Sequence, residues 1–558
     1  MMRACCKGVL AALLLVVTFP GSAAADPPGA AVATAHPLAT EAALETLDNG
    51  GNAFDAAVTA TATLAVVEPY GSGLGGGGFW LLHRQADGHQ VMVDGREEAP
   101  GAATRTMYQN DDGELRERDS LDGPRAAGIP GTPAALVHIT REYGNRSLAE
   151  NLAPAIRHAR EGIPVTEHYQ RMAYFRRDAL RESPAAAAVF LDDGDVPEVG
   201  DTLVQTDLAL TLERLADDGL AGFYDGAVAE RLVAGTREAG GIWTREDLQD
   251  YAVVEREPVR GDYRGVRVTS AAPPSAGGIG LVTMLNTLAG YDVHDATEVQ
   301  RIHLQVEAMR RAYRDRRLYL GDPDFVDIPR ERLLSREHAR NLAQSLDPER
   351  ATPSEALEDA QGGGRNTTHF SIIDADGNRV GATLSINYPF GSGFMPPGSG
   401  VVLNNEMDDF ATRPGEPNAY GLVGGEANAI EPGKRPLSSM TPTFLETDDR
   451  VAVIGSPGGS RIITQVLLAT MSFVDGLEPE FWVSRPRYHH QYLPDRIQHE
   501  PGAISVDTRR ALVEMGHTVR PMLRRYGDMQ VVMWHRGESR MAAESDPRGG
   551  GKAVVADD

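Results

Sequence analysis

Cysteine and lysine are scarce in this chain. Of its 558 residues only two are cysteines, Cys5 and Cys6, and both lie in the first 25 residues. If that segment is removed, disulfide bonds, thiol catalysis and cysteine-based zinc sites are excluded. Only three lysines occur, and 54 basic residues face 79 acidic ones, for a net charge of −25. A surface this acidic repels phosphate backbones and argues against nucleic acid as the main partner.

Beyond its N-terminus the chain also has no apolar stretch that approaches the length of a membrane helix. Hydrophobic residues make up 41% and charged residues 24% of the sequence. These fractions are typical of folded globular proteins and exclude a disordered or fibrous chain. The length exceeds that of one ordinary hydrophobic core, so we expect two domains or one large layered domain.

The first 25 residues have the pattern of a secretory signal peptide. Arg3 and Lys7 precede a short apolar run over 8–19, and three alanines at 23–25 offer a cleavage site. The run is too short to span a bilayer stably, and a retained N-terminal anchor is the alternative. Loss of Arg3 and Lys7 would take the net charge from −25 to −27. We therefore expect a periplasmic or secreted protein.

Hydrophobic periodicity predicts helices and strands along the remaining chain. The predicted helices cover 31–67 with a break at 49–52, then 279–288, 299–319 and 461–475, and the predicted strands cover 79–82, 258–270, 369–374, 379–388 and 451–454. Residues 374–378 contain Asp-Gly and are predicted to form a hairpin turn. We expect a polar linker or mobile loop at 351–365 and a loose, Gly-rich tail at 546–558.

Three motifs resemble ligand sites, but their context favours structural roles. A Gly-x-Gly-x-x-Gly motif at 71–76 matches dinucleotide-binding loops, yet a strand rather than a helix is predicted to follow it. Residues 374–378 begin like a calcium loop, but the glycine stands at the fourth position. The adjacent His489 and His490 lack a nearby third metal ligand. We expect neither a cofactor nor a metal.

One series of short blocks is specific. In chain order these blocks are GLGGGGF at 73–79, DGRE at 94–97, PPSAGG at 273–278, NTTHFS at 366–371, SIN at 385–387, LNNEMDDF at 403–410, RPLSSMTP at 435–442 and GSPGGSR at 455–461. Together they closely resemble the γ-glutamyltranspeptidase family, in the family's order and over nearly all of the chain. Several blocks in order are far harder to match by chance than a single block.

The resemblance implies an α+β fold, a four-layer αββα sandwich of the N-terminal-nucleophile hydrolase type. It also implies that the precursor cuts itself between Asn366 and Thr367. The products would be a large subunit, 26–366, and a small catalytic subunit, 367–558, which together form a heterodimer. Residues 420–435 resemble the lid loop of bacterial members, and their glycine content suits a mobile cover.

The chemistry of Thr367 gives a reason for the cut. A threonine hydroxyl is a weak nucleophile and needs a base. Cleavage would give Thr367 a free α-amino group, and such amines have a reference pKa of about 7.7–8.0, suited to a base near neutral pH. The same hydroxyl would first attack the Asn366 carbonyl, shift the acyl group from nitrogen to oxygen, and leave an ester for water to hydrolyse.

The resemblance also implies the remaining site residues. A γ-glutamyl group carries an α-carboxylate and an α-ammonium, so its site needs donors on one side and acceptors on the other. The implied donors to the carboxylate are Arg96, Ser438 and Ser439, the implied acceptors from the ammonium are Asn387, Glu406 and Asp409, the implied oxyanion hole is the backbone of Gly458 and Gly459, and Ser385 is implied to hold the amine or hydroxyl of Thr367. Many relatives carry threonine at the position of Ser385.

The implied activity is γ-glutamyl transfer. Thr367 attacks the γ-amide of glutathione or a related compound and expels an amine, and the resulting ester passes its acyl group to water, an amino acid or a dipeptide. Two alternatives remain. One is a related acylase that removes glutaryl side chains from cephalosporin-type amides, whose substrate lacks the ammonium. The other is a non-catalytic periplasmic protein that binds glutathione.

Overall fold

The computed structural model describes residues 26–354, 367–415, 418 and 422–556. The predicted signal peptide, both cysteines, Asn366 and most of the predicted linker lie outside these residues. The strands are β1 Ala31–Thr34, β2 Gly77–Arg84, β3 His89–Gly95, β4 Ile163–Pro164, β5 Thr202–Leu203, β6 Val254–Arg256, β7 Val259–Tyr263, β8 Val266–Ser270, β9 Thr368–Ile373, β10 Arg379–Ser385, β11 Thr443–Glu446, β12 Arg450–Gly455, β13 Tyr488–His489, β14 Ile497–His499, β15 Val519–Pro521, β16 Gln530–His535, β17 Arg540–Ser545 and β18 Lys552–Val555.

The α-helices of the described residues follow the same chain order. They are α1 Pro37–Asp48, α2 Ala53–Val67, α3 Thr132–Tyr143, α4 Leu148–Glu161, α5 Glu167–Glu182, α6 Pro184–Phe190, α7 Thr206–Asp218, α8 Leu220–Tyr224, α9 Gly226–Glu238, α10 Arg245–Gln249, α11 Gly277–Leu288, α12 Glu298–Tyr319, α13 Arg330–Leu334, α14 Arg336–Gln344, α15 Ile462–Val474, α16 Pro479–Ser484 and α17 Val506–Glu514. None of these helices has the length together with the apolar character that crossing a membrane requires.

Two stacked antiparallel sheets form the centre of the molecule. The first has the strand order β18-β1-β9-β10-β2-β3-β6, and the second has the order β17-β16-β12-β11-β8-β7. Strands β9 and β10 of the first sheet contact β12 of the second. Helices α1, α2 and α3 cover the outer face of the first sheet, and α11 and α15 cover that of the second. The layers are therefore α, β, β and α, as the resemblance implied.

Burial on both faces explains the continuous apolar sequence of β2. Phe79 and Leu81 belong to the core that lies between the two sheets and extends to the helices covering the second sheet. Trp80 and Leu82 belong to the core under the first helical layer. Successive side chains of a strand point to opposite faces, so a strand covered on both sides is apolar at every position. The strand predicted at 79–82 is confirmed.

Three sequence predictions need correction. Residues 31–34, predicted as helix, form β1, because they pair with β9 on one side and β18 on the other. The single strand predicted at 258–270 is the hairpin β7–β8, which turns at Arg264 and Gly265, both with positive φ. The tail predicted to be loose contains β18, which pairs antiparallel with β1. In β1 and β18, pairing with strands that are distant in sequence decides the conformation in place of local propensity.

Candidate active site

Antiparallel pairing brings the first two hydroxyl residues together. Thr367 immediately precedes β9, and Ser385 ends the neighbouring strand β10. In the register of these strands Thr368 pairs with Leu384, so Thr367 and Ser385 lie at the same edge of the sheet. Strand β2 continues this edge, because Gly77 pairs with Ser385.

The glycine run before β2 is required by close backbone approach. A Cβ on Gly76 would stand 2.1 Å from the carbonyl oxygen of Ser385, and one on Gly77 would stand 2.4 Å from that of Gly95. Neither space admits a side chain. The motif at 71–76 leads into strand β2 rather than a helix, so it lacks the helix N-terminus that would hold a dinucleotide's pyrophosphate.

One narrow cavity collects most of the predicted site residues. Its lining includes Arg96, Thr367, Ser385, Asn387, Asp409, Ser438, Ser439 and Gly459. Glu406 joins this group through Arg96, whose Nη1 lies 2.7 Å from Glu406 Oε2. Gly458 lines a second, wider cavity, and Thr367 lines both. The structure thus brings together residues that are up to 363 positions apart, from 96 to 459.

Arg96 is the charged centre of the narrow cavity. Its side chain is 1% exposed, and its Nη2 lies 2.6 Å from Asp409 Oδ2. Its Nε donates to the carbonyl oxygen of Pro436 at 3.1 Å. Burial disfavours the charged guanidinium, but the carboxylates of Glu406, Glu97 and Asp409 outweigh burial and raise the pKa of Arg96. Arg96 therefore stays charged.

Glu97 is a member of this cluster that the sequence analysis did not assign. Its carboxylate lies 3.4 Å from Arg96 Nη1 and is fully buried. Burial raises the pKa of Glu97 to about 7, with Arg96 opposing the shift and the nearby carboxylates of Asp409 and Asp94 adding to it. Its place beside Arg96 in the DGRE block was the available signal.

Glu406 is held in place by its backbone and by its ion pair with Arg96. It begins a short 3₁₀ turn, Glu406–Asp409, and its backbone N–H donates to Asn404 Oδ1 at 2.9 Å. Burial raises the pKa of Glu406 well above its ordinary value, Arg96 lowers it, and the carboxylates of Glu97 and Asp409 raise it further. A side-chain hydrogen bond with Ser385 also lowers the pKa of this carboxyl. A bound ammonium would add a second positive partner beside Arg96.

Asn404 is a second residue that sequence reasoning missed. Its side chain is fully buried and bonds four backbone groups. The amide nitrogen donates to the carbonyl oxygens of Gly75 and Gly128 at 2.7 and 2.8 Å, and the amide oxygen accepts from the N–H groups of Gly128 and Glu406, both at 2.9 Å. Asn404 thereby ties the glycine run, through Gly75, to the acidic turn.

Asn387 lies on a backbone turn of its own. Its φ is +70°, in the left-handed region, and its N–H donates to Ser385 Oγ at 2.7 Å. Its amide nitrogen donates to the carbonyl oxygen of Asn405 at 2.9 Å. This hydrogen bond orients the Asn387 amide, with its nitrogen toward the protein backbone.

The two serines differ in how their hydroxyls are used. Ser438 Oγ accepts from the N–H of Met440 at 3.1 Å, and its own N–H donates to the carbonyl oxygen of Pro274 at 2.8 Å. Ser439 Oγ is buried and has no hydrogen-bond partner among the described residues. A buried hydroxyl without a partner at a cavity wall is a donor for a ligand.

Gly458 and Gly459 form a turn that only glycine adopts readily. Their φ angles are +138° and +56°. Gly459–Arg461 is a 3₁₀ turn that continues directly into α15. A Cβ on Gly458 would stand 2.6 Å from Gln465 Nε2. Backbone N–H groups at the start of a helix are available to an anion, so the turn can form an oxyanion hole.

A buried carboxyl lies next to the start of β9, close to Thr367. Glu68, which follows α2, accepts hydrogen bonds from Thr368 Oγ1 at 2.8 Å and from Tyr70 at 3.2 Å. Burial raises the pKa of Glu68, and these two hydrogen bonds oppose the shift. The pairing fixes the start of β9, and with it the residue next to Thr367.

The histidines bond to protein groups. His489 contacts Thr464 and Gln491, and His490 contacts Asp495. The ligand atoms of a separate buried group, His303, Glu307 and His517, lie within 4.8 Å of one another, close enough to share a metal ion. Most of these atoms already have protein partners: His303 Nδ1 and His517 Nε2 are 2.8 Å apart, and Glu307 pairs with Arg310 and Arg311.

The predicted lid is described only in part. Residues 416–417 and 419–421 lie outside the described residues. Leu422 lines the narrow cavity beside Thr367. At the other end, Arg435 forms ion pairs with Asp94 and Glu98 at 2.9 and 2.8 Å. These buried pairs anchor the C-terminal end of the segment to the block that carries Arg96.

Known proteins match the chain over most of its length. A family model described as Gamma-glutamyltranspeptidase matches residues 39–556. The chain is 41% identical over 521 residues to the glutathione hydrolase proenzyme of Pseudomonas sp. strain A14, covering 91% of this chain and 90% of the relative. It is 41% identical over 525 residues to the glutathione hydrolase proenzyme of Escherichia coli strain K12, covering 93% and 90%.

The solved structures confirm the predicted fold. The crystal structure of cephalosporin acylase from Bacillus halodurans is 28% identical, with a TM-score of 0.83, and the match covers 98% of this chain and 99% of that one. The four-layer sandwich of the N-terminal-nucleophile hydrolases is thereby confirmed. From the family match, the similar proenzymes and the assembled cavity, we conclude that the chain belongs to the γ-glutamyltranspeptidase family.

Proposed function

We propose that this protein is a γ-glutamyltransferase and glutathione hydrolase, made as a precursor that cuts itself before Thr367. One observation carries the proposal. A threonine at the start of a central strand shares a narrow cavity with Arg96, Asp409 and Gly459. A nucleophile, a paired set of charges and an oxyanion-hole turn are the parts that transfer of a zwitterionic acyl group requires.

The cut creates the base that the transfer needs. Thr367 Oγ attacks the carbonyl carbon of Asn366, the peptide C–N bond breaks, and its nitrogen becomes the α-amine of Thr367. Water hydrolyses the ester and frees the hydroxyl. The amine then accepts the hydroxyl proton when Thr367 attacks a substrate. The large subunit 26–366 and the small subunit 367–558 remain together as a heterodimer.

The charges of the narrow cavity match a γ-glutamyl group. A guanidinium has five N–H donors in a fixed fork, and those of Arg96 that the carboxylates leave unused are proposed to bind the substrate α-carboxylate together with Ser438 and Ser439. Glu406, Asp409 and the Asn387 amide oxygen are proposed to accept from the α-ammonium. The narrow cavity therefore selects a substrate that carries both charges.

Transfer then proceeds in two steps. Thr367 attacks the γ-carbonyl, whose oxygen gains charge facing the N–H groups of Gly458 and Gly459. The tetrahedral intermediate collapses, the C–N bond breaks, and the leaving amine takes the proton that the threonine amine had accepted, with Ser385 proposed to orient that amine. Water or an acceptor amine then attacks the ester and gives a proton to the threonine amine. That proton passes to Thr367 Oγ when the ester C–O bond breaks, which completes hydrolysis or transpeptidation.

The acylase alternative is kept because of one observation, the likeness to a solved structure called a cephalosporin acylase. A glutaryl group keeps the carboxylate of a γ-glutamyl group but lacks the ammonium. Its binding would therefore leave Glu406 and Asp409 without the positive charge that the ammonium supplies. Comparing p-nitroanilides of the γ-glutamyl and glutaryl groups separates the two. We expect kcat/KM to favour the γ-glutamyl anilide by at least about 100-fold, on the scale of a lost charge-assisted contact. A preference for glutaryl would establish the acylase instead.

We also propose that residues 1–25 are removed on export and that the enzyme works in the periplasm or outside the cell. The pattern of the segment supports this proposal. N-terminal sequencing of the large subunit isolated from the cell tests it, and Asp26 is the expected first residue. A large subunit that keeps the segment and sediments with membranes would establish the anchor alternative.

Self-cleavage is tested with a denaturing gel and N-terminal sequencing of the purified protein. Wild type is expected to give two bands, the smaller beginning Thr-Thr-His-Phe, and to release p-nitroaniline from the γ-glutamyl anilide. Thr367→Ala should give one band and no activity. Thr367→Ser, the matched control, keeps a hydroxyl and should still yield two bands. An intact wild-type chain that binds glutathione without turnover would establish the binding-protein alternative.

A further inference from the structure

We propose that Glu68 is a positioning residue for the nucleophile, because its carboxylate supplies the counter-charge for the α-ammonium that self-cleavage creates at Thr367. This inference rests on the proposed self-cleavage and γ-glutamyl transfer. It adds a residue outside the groups assigned to the substrate. Glu68 acts through Thr367, by keeping the α-amine basic enough to accept the hydroxyl proton.

The position of Glu68 is the first argument. Its Oε2 accepts a hydrogen bond at 2.8 Å from Oγ1 of Thr368, the residue that follows Thr367. Its backbone carbonyl oxygen accepts from the N–H of Gly71 at 2.8 Å, so Glu68 also begins the turn that enters the glycine run. Glu68 and Thr367 line the same wider cavity. The carboxyl is therefore held one residue away from the amine that the cut creates.

The other charges around the wider cavity are the second argument. In its lining the arginines are Arg171, Arg461, Arg524, Arg525 and Arg548, and the carboxyls are Glu68 and Asp528. Arg548 is balanced by its pairs with Glu500 and Asp546, which leaves four arginines against the two carboxyls. An ammonium among these cations is disfavoured, and a carboxylate next to it offsets the repulsion.

The remaining titratable side chains of this lining are those of His168, Tyr70, Tyr388 and Tyr526. Burial lowers the pKa of His168 to about 4, so its ring is neutral near pH 7. Burial raises the pKa of Tyr70 well above its ordinary value, and the nearby carboxyl of Glu68 adds to this shift. Neither group can therefore take the place of Glu68 as a negative charge in the range where the α-amine titrates.

Of the two carboxyls, Glu68 is the one placed to carry the charge. It accepts from the hydroxyls of Thr368 and Tyr70, and such hydrogen bonds favour the charged form. Burial and the neighbouring carboxylate of Asp546 raise the pKa of Asp528 well above its ordinary value, so Asp528 keeps its proton. In the uncut chain burial also raises the pKa of Glu68. The positive charge that the cut places nearby lowers it again.

The test is the pH profile of γ-glutamyl-p-nitroanilide hydrolysis by cleaved wild type and cleaved Glu68→Gln. Glutamine keeps the shape and can still accept from Thr368 and Tyr70, but it carries no charge. We expect the midpoint of the acid limb of kcat/KM to fall by about one pH unit, the size of one lost opposite charge at short range. Titration of Glu97 contributes equally to both profiles. A merely structural role would lower the rate at every pH and leave the midpoint in place.

The matched control is Asp528→Asn, the same change of a carboxyl to an amide in the same cavity. Because Asp528 keeps its proton in this range, the midpoint of this variant should equal that of wild type. Glu68→Asp keeps the charge and should restore the midpoint even where the rate stays low.

A Glu68→Gln enzyme with the wild-type midpoint overturns the proposal, and a shift in Asp528→Asn alone would assign the counter-charge to Asp528 instead. If Glu68→Gln does not fold or is not cleaved, Tyr70→Phe decides. Loss of this donor makes Glu68 less ionised, so the midpoint should fall by part of the same amount, and an unmoved midpoint overturns the proposal. If wild type stays uncut or releases no p-nitroaniline, the proposed function itself fails.

Discussion

Arg96 lies among three carboxylates, and this imbalance sets the behaviour of the narrow cavity. One guanidinium contacts Glu97, Glu406 and Asp409. If all three acids were ionised, the cluster would carry two uncompensated negative charges in a site removed from water. Burial and mutual repulsion therefore raise the pKa of Glu97 and of Glu406. A substrate ammonium supplies the missing positive charge, so we expect its binding to be coupled to release of a proton.

Glu97 gives this cluster a measurable effect on stability. Its pKa rises from 4.5 in the unfolded chain to about 7 in the folded protein. Between these values the folded protein retains a proton that the unfolded chain has lost, so the contribution to stability falls as pH rises from about 4.5 to about 7. The Tm of wild type minus that of Glu97→Gln should decrease across this window and stay constant above it.

Thermal unfolding of the two proteins from pH 4.5 to 8 checks this prediction. As a control, the measurement is repeated at higher ionic strength, which screens exposed charges far more than buried ones and should leave the slope in place. Parallel Tm curves at all pH values would contradict the assignment of the raised pKa to Glu97.

At the scale of elements, the site is an edge where several strands and one helix begin or end. Thr367 immediately precedes β9, Ser385 ends β10, the glycine run enters β2, and the turn at 458–459 follows β12 and enters α15. Backbone termini such as these carry N–H groups that no helix or sheet partner uses. The proposed oxyanion hole is accordingly a property of the β12–α15 junction and not of any side chain.

Gly459→Ala tests the turn. Its φ of +56° makes alanine strained by roughly 1–2 kcal/mol, and relieving the strain would rotate the N–H away from the oxyanion. We expect kcat to fall by about 10²–10³-fold, measured on γ-glutamyl-p-nitroanilide. The matched control is Gly476→Ala, because Gly476 has a φ of +77° with nothing near its Cβ position.

Gly476→Ala should show a similar small loss of Tm with kcat unchanged. Equal kcat losses in the two variants would mean that strain alone, and not the position of the N–H, lowers the activity. A Gly459→Ala enzyme with full kcat would remove this turn from the mechanism.

At the scale of the whole molecule, the proposed cut divides both sheets. In the first sheet β18, β9 and β10 belong to the C-terminal part, and β1, β2, β3 and β6 belong to the N-terminal part. In the second, β8 and β7 come from the N-terminal part and the other four strands from the C-terminal part. Strand β1 lies between β18 and β9, both from the other part. Strands from the two parts are therefore hydrogen-bonded to each other within both sheets, and side chains from both parts pack together in the hydrophobic cores.

This interleaving predicts that cleavage does not release the subunits. Size-exclusion chromatography of the cleaved protein without denaturant should give the elution volume of uncleaved Thr367→Ala, while a denaturing gel shows two bands. The control is the same chromatography in denaturant, where the cleaved form alone should separate into two species. Two native species of different size would contradict the shared-sheet arrangement.

The sequence allowed a prediction of the site's members because their chemistry lies in short blocks. The β2 strand was also predictable, since Phe79 to Leu82 is apolar at every position. Residues 31–34 were not, because an Ala-Val-Ala-Thr stretch carries no strong local preference and becomes a strand only between β9 and β18. Asn404 was hidden for a similar reason: its role depends on backbone groups of Gly75 and Gly128, far away in sequence.

The chain by itself therefore determined the family, and it was enough to predict the nucleophile and the complementary charges, because each depends on residue types within a few positions of one another. The tertiary structure decided what depends on distance in space: the shared edge of Thr367 and Ser385, the three carboxylates on one guanidinium, and the two cavities that meet at Thr367. Such properties arise where segments hundreds of residues apart are packed together, and no local pattern encodes that packing.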